Sequence, residues 1–211
     1  MISLTGFMLV VGWCGAFRGE ELPRTTLGQM RDLFENAVNH RALPHVVICL
    51  NGRFKNCTGV MTWYHPLPLS TSSGIDIGVW VQRVVLSCGE LGMSEGWVFR
   101  SKGRRGKLTK SKTADLDILF HDILKRVQER WPSIISADTL VNEEFSVNRS
   151  LRRGGTTQAS NKAIPKQIID ANNRWRTQER AKGRTSFPSM LTRCTDVMAN
   201  LEALLRFASA L

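Results

Sequence analysis

Arg152 and Arg153 stand side by side in RSLRRGGTTQASN, with Arg149 just ahead of them, where the spacing predicts a helix over 150–161. Two arginines at a helix start oppose the macrodipole, whose N-terminal end is positive, and an anionic ligand there would relieve the conflict. The charge around them points the same way. Residues 145–184 hold 10 basic side chains against 2 acidic, and residues 100–112 (RSKGRRGKLTKSK) hold 7 basic and no acid. Between them, residues 113–144 sum to −4, while residues 1–99 carry 7 of each sign. Clusters of this kind attract phosphate backbones with an affinity that falls steeply with salt. The same blocks, taken without any motif, also read as an ordinary solvated face.

Composition narrows the classes. The chain has 211 residues, a net charge of +11 and a pI near 10.0, with 42% hydrophobic and 22% charged residues. That mixture excludes a disordered chain and a membrane-embedded one, and it implies a soluble domain with one sizeable core and a polyanionic partner. Cys14, Cys49, Cys57, Cys88 and Cys194 form no CxxC pair, and the four histidines lack HxxxH or HExxH spacing. No zinc site or other metal or cofactor is expected, and the thiols read as reduced and intracellular. Residues 1–17 are apolar but lack a basic start and are short for a membrane span, so they read as a helix of a chain truncated at its N-terminus.

The elements that must position these groups follow from periodicity. Residues 3–17 read as a buried helix and 26–38 as an amphipathic one, with Leu27, Met30, Leu33 and Phe34 on one face. His45 to Leu50 reads as a strand, Asn51-Gly52 as a tight turn, and Val60 to Tyr64 as the returning strand. A Pro/Ser-rich turn, HPLPLSTSSG, then leads to a helix over 76–88, through Ile77, Trp80, Val81, Val84 and Val85. The stretch 100–112 reads as a basic loop, and 114–130 as an amphipathic helix ended by Trp131-Pro132. Helices over 150–161, over 165–181 opening on Pro165, and over 190–211 complete a mainly helical α+β chain with one small antiparallel sheet.

The segment RSLRRGGTTQASNKAIPKQIIDANNRWR, residues 149–176, resembles the second catalytic motif of tyrosine recombinases, the phage-integrase-like DNA breaking-rejoining enzymes. Arg152 matches that family's Arg, Ala163-Ile164-Pro165 its turn and Trp175 its His/Trp position, while Arg149 stands where the family usually has His. Gly15-Ala16-Phe17-Arg18-Gly19-Glu20-Glu21-Leu22 resembles the first motif, with Arg18 as its arginine. Lys55, with Arg53 as competitor, falls in the predicted hairpin where the family has its active-site Lys. The resemblance covers nearly all of residues 1–211, as a single catalytic-like domain without the preceding DNA-clamping domain. NNRWR and ERAKGR are similar to mobile-element recombinases of eukaryotic genomes.

The resemblance implies a chemistry. Arg18 and Arg152 would clamp a DNA phosphate, whose geometry guanidinium matches better than ammonium. Lys55 would protonate the departing 5′ oxygen, and the Trp175 indole would donate one hydrogen bond. Duplex DNA would also meet Arg53, Arg104, Arg105, Lys107, Arg153, Arg174 and Arg176. The family's nucleophile is a C-terminal Tyr; the one tyrosine here, Tyr64, lies in the other half, and Cys194 stands at the expected position. The implied protein acts in DNA recombination or integration, assembles as a homo-oligomer on DNA, touches no membrane and is intracellular, nuclear if the source is eukaryotic. Alternatives are a DNA-binding remnant unable to cleave, and a basic RNA-associated protein. Taken singly, Arg18 also reads as a helix-end arginine paired with Glu21, Lys55 as a turn lysine and Trp175 as core.

Overall fold

A computed structural model of the chain describes residues 2–28, 44–53, 59–103, 107–173 and 205–211. Helix α1 (Ile2–Cys14) carries no charged residue and, apart from Ser3 and Thr5, no polar side chain, as suits a helix packed on most of its surface. Phe7, Met8, Val11 and Cys14 lie fully inside the core. Its glycines let neighbours come close. A Cβ on Gly6 would sit 1.9 Å from the ring of Trp80 on α2 (Ile77–Glu90), and one on Gly12 would sit 2.5 Å from Leu151 on α5 (Ser150–Asn161).

The strands β1 (His45–Arg53) and β2 (Val60–Pro68) pair antiparallel, from His45 opposite Pro68 to Arg53 opposite Val60. Asn51-Gly52 is therefore not the turn expected from the sequence. It lies within β1, opposite Thr62 and Met61, where Gly52 adopts φ +151°, a conformation that suits glycine. The first half of HPLPLSTSSG is likewise strand, because the ladder runs on through His65 to Pro68. The other edge of β1 meets residues 25–26: Thr26 N–H donates to the Cys49 carbonyl at 2.9 Å.

Helix α2 begins where the Asp76 carboxylate accepts the Val79 N–H at 2.8 Å. The basic stretch 100–112 is not all loop. Within it β3 (Arg100–Lys102) and β4 (Leu108–Lys110) form a second antiparallel pair, with Ser101 opposite Thr109. Helix α3 (Thr113–Arg130) buries Leu116 and Phe120, and a short turn α4 (Val141–Glu144) leads to α5 and then α6 (Lys166–Asn172). About half of the described residues are helical, with two small antiparallel sheets among them, the α+β class expected.

One apolar cluster runs from Phe7 through Ile48, Val81 and Leu151 to Phe207 and Leu211. The C-terminal residues 205–211 are fastened to the rest by the Ser72 N–H, which donates to the Ser209 carbonyl at 2.7 Å. The expected helix over 26–38 lies mostly outside the described residues, as do most of the helix expected over 190–211 and the second half of that over 165–181. Among the described residues, no helix is long and apolar enough to cross a membrane.

Candidate functional site

The end of α1 sets the direction of the first arginine. Phe17 N–H reaches back to the Gly12 carbonyl at 3.0 Å and Ala16 N–H to that of Trp13 at 3.1 Å, with Ala16 at φ +45°. This paired closure is the Schellman arrangement, here with alanine where glycine is usual. It turns the chain so that Phe17 enters the core and Arg18 leaves it. Phe17 packs edge-on against His65 of β2, with ring centroids 4.8 Å apart, which ties the first hairpin to this corner.

Arg18 is held by its own turn. Its N–H donates to Glu21 Oε2 at 2.8 Å, and its guanidinium lies 3.5 Å from Glu21 Oε1, with the Arg18 side chain 31% exposed and Glu21 buried. The pairing with Glu21 that the sequence allowed is thus present. The next residue makes the close approach: a Cβ on Gly19 would fall 2.6 Å from the backbone of Asn148. Only glycine fits there without a shift, so the turn carrying Arg18 rests on the backbone leading into α5.

That lead-in is fixed from α3. Asp117 Oδ1 accepts the Val147 N–H at 2.7 Å, and His121 Nε2 donates to the Phe145 carbonyl at 2.7 Å. Helix α5 then crosses α1 so tightly that a Cβ on Gly155 would lie 2.4 Å from the Trp13 carbonyl oxygen. Within this crossing Arg152 is only 8% exposed, and its guanidinium donates to the Asn173 carbonyl. Asn173 also bonds Thr156 through its side chain, at 3.1 Å, and the Asn172 amide reaches the Gly15 carbonyl at 3.4 Å. The ends of α1 and α6 and the first turns of α5 form one buried polar knot around Arg152. Asn172 and Asn173 belong to the NNRWR motif and carry this knot, yet only its Arg and Trp residues were singled out from sequence. Two adjacent asparagines just after a helical run were the available signal.

The three arginines near the start of α5 part company. Arg152 turns inward, whereas Arg149 and Arg153 line a cavity between α1, α3 and α5. Arg53 ends β1, exposed, and its carbonyl accepts from the Arg24 guanidinium. Lys107 is exposed beside β4. Lys55, Arg104, Arg105, Arg174, Trp175, Arg176 and Cys194 lie outside the described residues. The thiols that are described do not suit nucleophilic work. Burial pushes Cys14 and Cys49 up to about 12 and raises Cys88 as well, so all three are protonated near neutral pH. Among the described residues no group of His, Cys, Asp and Glu could hold a metal ion.

No family model, curated protein or solved structure matches this chain.

Proposed function

We propose that the chain is a duplex-DNA-binding protein of the tyrosine-recombinase kind, acting in or derived from phosphodiester breaking and rejoining. One observation carries the reading: the turn bearing Arg18 rests on the lead-in to α5, the helix that holds Arg152, and Phe17 ties that turn to the first hairpin. Those are the segments that the two motifs and the hairpin lysine of the resemblance must bring together. Arg152, anchored by Asn173, would present a fixed guanidinium edge, and Arg18 would share its charge between Glu21 and the phosphate. Arg149 faces the cavity beside Arg153, so the clamp is assigned to Arg18 and Arg152. Assembly on DNA, and nuclear residence if the source is eukaryotic, follow from the same reading.

In this reaction the Cys194 thiolate would attack the phosphorus, forming the P–S bond as the P–O5′ bond breaks. Lys55 would give its proton to the leaving 5′ oxygen. The test is a nicked duplex suicide substrate without added metal, followed by denaturing electrophoresis. A protein–DNA adduct mapping to Cys194 marks a working enzyme with an altered nucleophile. Salt-sensitive duplex binding without an adduct marks a binding remnant, and Cys194→Tyr then reports whether the rest of the site is intact. Preference for structured RNA over duplex at matched salt overturns the reading.

A further inference from the structure

A cavity beside α5 is lined by neither Arg18 nor Arg152. It measures about 660 Å³, within the size range of small-molecule sites. Leu9 and Trp13 of α1, Phe120 and Leu124 of α3, and Phe145 give it an apolar wall. Its charged rim is Arg149, Arg153 and Glu144. The Glu144 carboxylate is already engaged, accepting the Leu140 N–H at 3.2 Å in its own turn. Neither Arg149 nor Arg153 makes an ion pair among the described residues.

The arginines are also badly placed for their own helix. Arg149 occupies the N-cap position of α5 with no side-chain cap bond, and Arg153 lies one turn on, so both cations stand at the positive end of the macrodipole. An apolar ligand alone would leave that conflict in place, and a simple inorganic anion would leave the apolar wall wet. A ligand with an apolar body and one anionic head answers both, burying hydrocarbon against Trp13 and Leu124 while its head meets two guanidiniums.

We propose that this cavity binds a free amphiphilic carboxylate of fatty-acid type, with its head between Arg149 and Arg153 and its chain against α1 and α3. The site is separate from the Arg18–Arg152 clamp and does not depend on DNA binding. A bound ligand would stabilise the fold by mass action, which gives a second readout.

The experiment is calorimetric titration of the full chain with dodecanoate below its micellar concentration, with dodecanol and dodecyltrimethylammonium as neutral and cationic controls. One saturable site per chain is expected, preferring dodecanoate over both controls by about tenfold or more, with a rise in Tm. The double variant Arg149→Gln/Arg153→Gln should lose that preference while keeping the circular dichroism of the parent. Leu124→Trp, which sets a larger ring into the apolar wall where the chain would lie, should weaken binding of acid and alcohol alike. Absence of a saturable site, equal affinity for acid and alcohol, or an unchanged preference in a folded double variant would overturn the proposal. So would a ligand-free dimer dispersed by Leu124→Glu, which would assign the cavity to a second copy of the chain.

Discussion

The crossing of α1 over α5 and the β3–β4 hairpin both carry arginine or lysine, yet they treat those charges in opposite ways. At the crossing, backbone meets backbone across Gly155, Arg152 is enclosed, and its partner is a fixed carbonyl. In the hairpin, Leu108, Thr109 and Lys110 are all exposed and the ladder is three residues long. A charge in the first region holds structure in place, and its removal should be felt by the whole fold. In the second, Lys107 is exposed and available to a partner, and its removal should be felt by binding alone.

The sharpest way to break this contrast is at Gly155. A methyl group there must displace the Trp13 carbonyl, which cannot rotate away as a side chain would. Gly155→Ala should cost about 3 kcal/mol, the upper end for overpacking, read as a lower urea midpoint at unchanged slope. Gly89→Ala on α2 is the control: nothing lies within 4 Å of its Cβ position, so helix propensity should make it neutral or stabilising. A Gly155→Ala midpoint equal to the parent's would remove the close crossing from the account.

Arg152→Lys comes next. Lysine keeps the charge but not the fork that reaches the Asn173 carbonyl, so about 2 kcal/mol should be lost, within the range for a hydrogen bond to a charged group. Chemical denaturation measures it. A loss below about 0.5 kcal/mol, the level of ordinary surface substitutions, would place Arg152 with the hairpin lysines rather than with the core.

Alkaline pH probes the same core through its thiols. Cys14 and Cys49 ionise near 9.0 when unfolded but are pushed to about 12 by burial, so above pH 9 the unfolded chain releases protons that the folded chain keeps. Stability from this source is complete below pH 9 and falls between pH 9 and 12, by up to about 1.4 kcal/mol per pH unit for each thiol. Thermal melts from pH 8 to 11 should show the decline, and Cys49→Val should flatten it. An equal slope in the variant would mean that other groups carry the alkaline loss.

How much of this was legible beforehand differs between the two regions for physical reasons. Helices α1, α2 and α3 were readable because their apolar residues recur at helical spacing or, in α1, cover all but two polar positions. The β3–β4 pair was not. Strands of three residues such as RSK and LTK show no alternation of apolar and polar side chains, so a charged loop was the natural reading. Asn51-Gly52 misled because its composition suits a turn, although Gly52 spends its conformational freedom inside β1. At the candidate site, the residue types were visible but their directions were not. Which of Arg149, Arg152 and Arg153 faces inward is decided by the close approach at Gly12 and Gly155, a tertiary contact that no local pattern encodes.

The smallest expected effect belongs to the hairpin and completes the contrast. Lys110 lies over the Trp97 ring, with its ammonium 5.3 Å from the centroid, and Lys107 is exposed. Lys107→Gln should leave stability within about 0.5 kcal/mol of the parent, and Lys110→Gln should lose about that much through the cation–π contact. If the hairpin meets a phosphate backbone, each replacement should lower the salt dependence of duplex binding by about one unit of the log–log slope. Fluorescence anisotropy over a salt series reads this directly. An unchanged slope with Arg18→Lys strongly impaired would put the phosphate contacts at the crossing alone, whereas a reduced slope with stability intact would separate a region that binds from a region that holds.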